Sequence, residues 1–133
     1  MTFSTKGPVG RAKGLGSAHE GTTHWWLQRV TAVALLPLTL WFVMSIAAVA
    51  GKEREVVISW FGDPLSAIAL STLMVAGIYH AVLGIQVVIE DYVSCEWRKL
   101  LFIWIVRFLG FFLSALAVVS TLVMVLIRFM GTD

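Results

Sequence analysis

The stretch from Gly77 to Tyr92, G-I-Y-H-A-V-L-G-I-Q-V-V-I-E-D-Y, ends a long apolar segment that contains one ionisable side chain, His80. An ionisable residue at membrane depth is costly, so a functional role is the default hypothesis. On a helix, His80 shares one face with Gly77, Gly84 and Asp91. The glycines favour space for a flat macrocycle beside the imidazole. Roughly 16 Å of helix separates His80 from Asp91 and Tyr92, which we expect at the membrane–water boundary.

The rest of the chain has the composition of an integral membrane protein. Of its 133 residues, 59% are hydrophobic, and the mean hydropathy is +0.88. Three apolar runs each reach the length of about 20 residues that a helix needs to cross a bilayer. The sequence predicts an all-α membrane protein with three transmembrane helices, over about 30–50, 64–89 and 100–127. Residues 1–23 are expected to form a polar surface arm, and 24–133 the three-helix anchor domain.

Several classes of protein are excluded by what the chain lacks. A single cysteine, Cys95, allows no internal disulfide and no cysteine-only metal or iron–sulfur site. The net charge of +2 gives no indication of nucleic acid as a partner. The first 23 residues contain no apolar core of a secretory signal. We expect a multi-pass protein in contact with membrane lipid, in the bacterial inner membrane rather than the mitochondrial inner membrane.

The basic residues predict the orientation in the membrane. Most belong to the amino-terminal region and to the second loop, namely Lys6, Arg11, Lys13, Arg29, Arg98 and Lys99. The first loop contains only Lys52 and Arg54, and the carboxy-terminal tail only Arg128. Because cytoplasmic loops carry the excess of Lys and Arg, the amino terminus is predicted to be cytoplasmic and the carboxy terminus periplasmic.

His80 has two interpretations. It is either a neutral histidine hydrogen-bonded to a neighbouring helix, or an axial haem ligand through a ring nitrogen. The flanking glycines favour haem, although small residues also serve helix–helix packing. His19 and His24 precede the first span or lie at its interface. A haem with two axial histidines would therefore take its second ligand from a partner chain.

Four further polar residues are candidates with ordinary alternatives. Asp91 and Tyr92 either end a helix at the interface or form a quinone site, in which a phenol donates a hydrogen bond to a quinone carbonyl. Arg29 and Arg107 either follow the positive-inside rule, which we favour, or pair with haem propionates.

Two motifs carry a resemblance to a known family. One is H-W-W-x-Q-R-x-T-A at residues 24–32, and the other is H-A-x-x-G-x-Q-x-x-x-x-D-Y at residues 80–92. Together with the three spans, they resemble the small D-type hydrophobic membrane anchor of succinate dehydrogenase (complex II), the cytochrome b556 small subunit. The alphaproteobacterial members are the most similar. The resemblance covers the chain from about Gly14 onward.

The resemblance implies a role for each matching residue. His80 would be an axial ligand of haem b iron, with the opposite histidine supplied by the larger C-type anchor subunit. Tyr92 would bind the quinone, expected to be ubiquinone, with Asp91 beside it. Arg29 would lie near the haem propionates or the quinone. The flavoprotein subunit would oxidise succinate and the iron–sulfur subunit would relay electrons, so this chain would have no catalytic chemistry of its own.

Two alternatives to this assignment remain at this stage. One is a non-redox scaffold or assembly protein with three spans, in which His80 merely packs. The other is the larger C-type anchor, whose first span typically carries an S-x-x-H-R-x-T-G-like motif in place of the sequence at residues 24–32. The motifs assign no role to His24, Glu90 or Arg107.

Overall fold

The computed structural model describes residues 18–131, with side chains from residue 22 onward. Four helices follow one another: α1 (Ala18–Val49), α2 (Arg54–Phe61), α3 (Pro64–Tyr92) and α4 (Glu96–Met130). Helices α1 (from Thr22), α3 and α4 are long and apolar enough to cross a membrane. The predicted all-α fold with three potential spans is confirmed.

The helices are longer than the apolar runs from which the spans were predicted. The first span was expected from residue 30, but α1 begins at Ala18 and continues through Pro37 to Val49. Residues 18–23 of the predicted arm are thus helical, while residues 1–17 lie outside the described part of the chain. Likewise, α3 continues to Tyr92 and α4 begins at Glu96. Each helix continues beyond its apolar run, because polar side chains at the interface are compatible with helical backbone hydrogen bonding.

Helix α3 is the central element and runs antiparallel to both of its long neighbours. Near the middle of α3, Gly77 faces Leu35 of α1, and closer to its end Gly84 faces Gln28. On the other side, the hydroxyls of Ser71 in α3 and Thr121 in α4 lie 2.6 Å apart. The first turns of α1 and the α3–α4 connection therefore lie at the same end of the bundle.

The first polar loop contains the short helix α2. Its residue Trp60 stacks on Trp41 of α1 with ring centroids 6.0 Å apart. An indole with an apolar body and a polar N–H suits the headgroup region. Helix α2 thus packs against the end of α1 that is remote from His80.

A polar cluster ties α4 to the start of α3. The Asp63 carboxylate accepts a hydrogen bond of 3.0 Å from the Ser66 backbone N–H and so caps α3. This hydrogen bond lowers the pKa of Asp63 below its ordinary value. The Arg128 guanidinium lies 3.4 Å from Asp63 and donates to the Ser59 carbonyl at 3.1 Å. The last turn of α4 is therefore fixed to the α2–α3 junction.

Very few side chains are buried within this chain. Among the described residues, Ala67 and Leu83 are the buried hydrophobic side chains and Gln86 is the buried polar one. The large apolar residues of all three spans are mostly exposed, as expected of helices that face lipid or other subunits.

Gly110 is the point of closest approach between α3 and α4. It is the buried residue of α4, and a Cβ atom built on it would lie 2.5 Å from Val82 Cγ2. Such a distance is not tolerated, so the two helices pack at this separation because residue 110 has no side chain.

We predict that Gly110→Ala lowers the thermal stability of the purified assembly, since overpacking a close contact costs about 1–3 kcal/mol. The Tm in detergent measures this effect. The double variant Gly110→Ala, Val82→Ala removes the clashing methyl group and is expected to recover most of the loss. A Gly110→Ala variant with the wild-type Tm would contradict the close contact.

Candidate functional site

His80 lies at the contact between α3 and α1 and is half-buried. Its Nδ1 atom is 2.9 Å from Thr31 Oγ1, and its Nε2 atom is 3.4 Å from Gln28 Nε2. Both partners belong to the first motif, at residues 24–32. The fold thus brings the two sequence motifs together around one imidazole.

Gln28 and Thr31 were not identified as candidate site residues from the sequence. A signal for them was present, because His24, Gln28 and Thr31 are separated by four and three residues and share one helix face. Reading that face as the partner of His80 would have required knowing that α1 packs on the His80 side of α3.

Two polar side-chain atoms of α1, one of them in the residue Gln28 that contacts His80, are left without partners. Among the described residues, the buried side-chain atoms with no hydrogen-bond partner are His24 Nε2 and Gln28 Oε1. An unsatisfied buried polar atom costs about 1–3 kcal/mol. This face of α1 is therefore incomplete in the isolated chain, and its polar atoms are suited to a bound group or another subunit.

The glycines that flank His80 face α1. A Cβ atom at Gly77 would lie 3.8 Å from Leu35 Cδ2, and one at Gly84 would lie 3.6 Å from Gln28 Nε2. The space expected beside the imidazole is thus bordered by α1 side chains. Both distances are ordinary van der Waals contacts, so the packing of this chain on itself does not require glycine at either position, in contrast to Gly110.

Asp91 and Tyr92 form the last turn of α3 and are exposed. The Tyr92 side chain is 84% exposed. It lies twelve positions after His80 on the same helix, which corresponds to about 18 Å along the axis. The structure therefore places this pair at the end of the bundle, as the sequence predicted, and not in contact with the imidazole.

Arg29 is exposed although its neighbour Gln28 faces α3. Its guanidinium lies over the Trp25 ring, 5.2 Å from the ring centroid. A cation–π contact of this kind suits the aromatic belt at the interface. Arg29 occupies the same end of the bundle as Tyr92, on a different side of α1 from Thr31.

Glu90 and Arg107, to which the motifs assign no role, are linked through Gln86. The Gln86 amide donates to Glu90 Oε1 at 2.7 Å, while its Oε1 accepts from Arg107 Nη2 at 3.0 Å and Nε at 3.3 Å. This network joins α3 to α4. Arg107 is therefore satisfied on the side of α3 that faces α4, whereas His80 contacts α1.

A groove of about 560 Å³ lies beside this network, between α3 and α4. Tyr79, Gln86, Arg107 and Phe111 are among its lining residues. Of the candidate residues identified from the sequence, Arg107 lines this groove. The others lie elsewhere: His80 on the α1 side of α3, Asp91 and Tyr92 at the carboxy-terminal end of α3, and Arg29 on α1.

Three long apolar helices, two of which enclose His80 between them, define a multi-pass membrane protein. Residues 4–124 match the family described as succinate dehydrogenase/fumarate reductase transmembrane subunit, and the chain belongs to this family. The function predicted from the sequence, a membrane anchor subunit of the succinate dehydrogenase complex, is confirmed. This membership favours the anchor over a non-redox scaffold.

Characterised relatives support the same assignment and are mostly alphaproteobacterial. The succinate dehydrogenase hydrophobic membrane anchor subunit of Paracoccus denitrificans is 39% identical over 101 residues, which cover 76% of this chain and 78% of the relative. That of Rickettsia bellii is 38% identical over 96 residues, covering 72% of this chain and 77% of the relative. The membrane anchor subunit of Reclinomonas americana is 31% identical over 91 residues, covering 66% and 76%. No solved structure matches the chain.

Proposed function

We propose that this anchor subunit binds haem b through His80 and forms one wall of a quinone-reduction site at Tyr92. The observation that carries the proposal is the position of His80, half-buried between two membrane-spanning helices and within 2.9 Å of Thr31. A bound haem supplies a one-electron redox centre within the membrane.

The residues around His80 fit such a group. His80 would hold the iron through an imidazole nitrogen, and the larger C-type anchor subunit would supply the other histidine. Two buried atoms of α1, His24 Nε2 and Gln28 Oε1, lack partners in the described part of this chain. They are suited to groups that the isolated subunit does not contain.

Tyr92 is suited to a quinone at the membrane surface. Its phenol lies at the end of α3 and is exposed, so it is free to donate a hydrogen bond to a quinone carbonyl. The Asp91 carboxyl group beside it is placed to pass protons to the reduced quinone, expected to be ubiquinone. Arg29 lies at the same end of the bundle and supplies positive charge near the haem propionates or the quinone.

The remaining subunits complete the electron path. The flavoprotein oxidises succinate, and the iron–sulfur subunit passes the electrons to the quinone at the cytoplasmic end of the anchor. The distribution of basic residues supports this orientation, with Arg29, Arg98 and Lys99 near the end that contains Tyr92.

We predict that His80→Ala removes or strongly shifts the haem b α-band in the reduced-minus-oxidised spectrum of the purified complex. His19→Ala, which changes a histidine in the first turn of α1, before the potential membrane span that begins at Thr22, is the control and is expected to retain the band. An unchanged band in His80→Ala would exclude His80 as a ligand. Absence of haem from the wild-type complex would exclude the haem part of the proposal.

We predict that Tyr92→Phe lowers succinate:quinone reductase activity by up to about tenfold, the value of one lost hydrogen bond. Succinate oxidation with an artificial acceptor should stay unchanged, because the soluble subunits are untouched. Tyr79→Phe removes the hydroxyl of the other tyrosine, in the α3–α4 groove, and serves as the matched control. Equal quinone reductase activities of the two variants would exclude a specific role for the Tyr92 hydroxyl.

We predict that alkaline phosphatase fused after residue 133 is active, because the carboxy terminus is periplasmic. A fluorescent protein fused within the α3–α4 connection, after Ser94, should fluoresce because that connection is cytoplasmic. The reverse pattern would place Tyr92 at the periplasmic face and contradict the proposed orientation.

A further inference from the structure

The contact between Thr31 and His80 indicates which ring nitrogen of His80 carries the proton. We infer that Thr31 is a positioning residue that holds His80 as the Nδ1–H tautomer and so leaves Nε2 as the nitrogen that binds haem iron. This inference rests on the proposed function and adds to it a residue of α1 that acts through the ligand.

The Thr31 hydroxyl has one proton, and backbone carbonyls of its own helix already accept it. Thr31 Oγ1 is 2.8 Å from the Leu27 carbonyl oxygen and 3.1 Å from that of Gln28. A threonine in a helix commonly donates in this way to the preceding turn. Because the hydroxyl proton is donated to these carbonyls, the Thr31 oxygen acts towards His80 only as an acceptor. His80 Nδ1, at 2.9 Å, is therefore the donor.

The contact at the other ring nitrogen agrees with this assignment. His80 Nε2 lies 3.4 Å from Gln28 Nε2, an amide nitrogen that has protons to donate and no lone pair to offer. The neutral ring therefore carries its proton at Nδ1 and a lone pair at Nε2. With the Gln28 amide nitrogen on the Nε2 side, as the structure has it, donors and acceptors alternate from Gln28 through His80 and Thr31 to Leu27.

The position of the proton at Nδ1 affects how His80 would bind a metal. A metal-binding histidine almost always donates its second N–H to an acceptor, which fixes the tautomer and ring orientation and makes the ligand nitrogen more basic. Thr31 provides that acceptor from a different helix. The Gln28 amide occupies the Nε2 side in the isolated chain, and it gives up this contact when Nε2 binds iron.

The test uses the purified complex with Thr31→Val, which keeps the side-chain shape and removes the acceptor oxygen. Thr31→Ser keeps the hydroxyl. Thr72→Val is the matched control, because Thr72 is exposed on α3 and makes the same donation to a preceding carbonyl, that of Ile68, at 2.8 Å. The readouts are the haem midpoint potential, from spectroelectrochemical titration, and the rate of haem transfer to apomyoglobin.

Thr31→Val is expected to raise the midpoint potential, because a less basic imidazole stabilises ferric iron less. A tenfold loss of ferric preference corresponds to about 59 mV for a one-electron couple. Haem release should become about 10- to 100-fold faster, as for other partners of metal-binding histidines. Thr31→Ser and Thr72→Val should behave as wild type.

The possible failures are distinguishable. If His80→Ala abolishes the haem spectrum but Thr31→Val has the wild-type potential and haem release, the role of Thr31 is wrong and the proposed function stands. If Thr31→Val and Thr31→Ser change the midpoint potential and the rate of haem release equally, packing rather than the hydroxyl is responsible. This result would also overturn the inference. If His80→Ala retains the wild-type spectrum, the proposed ligand is wrong and the role of Thr31 fails with it.

Discussion

The contact between Thr31 of α1 and His80 of α3 is the interaction on which the arrangement of this site depends. It joins α3 to α1, and none of the side chains described in α1 is fully buried. In a bilayer, lipid tails compete with apolar side chains for every helix face, so hydrophobicity alone does not select one pairing of helices. Polar contacts and small residues therefore determine which faces meet.

Polar contacts and small residues are distributed differently on the two sides of α3. Towards α4, the contact is completed within the chain by a glycine that permits close approach, a hydroxyl pair and a buried glutamine that binds Arg107. Towards α1, polar atoms of His24 and Gln28 remain unsatisfied. The polar side chains at the α3–α4 contact are thus paired within the chain. At the α1–α3 contact, two polar atoms of α1 remain available to groups from outside the chain.

The sequence predicted the coarse features because each depends on residues close together along the chain. Hydropathy located three spans, and the spacing of His80, Asp91 and Tyr92 marked the helix that carries the candidate site. The partners of His80 were missed because they depend on which helix faces meet, and no local pattern encodes this. The sequence indicated only a first loop where the structure has helix α2, since eight residues with two charges give a weak helical signal. The roles of His80, Arg29, Asp91 and Tyr92 stay predictions.

The near absence of a buried apolar core has a consequence for how this sequence encodes its shape. In a soluble domain, structural information is spread over many interior side chains whose volumes must match. Here Ala67 and Leu83 are the buried hydrophobic side chains among those described, and most other apolar positions need only be soluble in lipid. The pairing of the helices therefore depends on a few residues, among them Gly110, Thr31 and Gln86. We expect apolar substitutions at lipid-facing positions to be tolerated better than substitutions at these three.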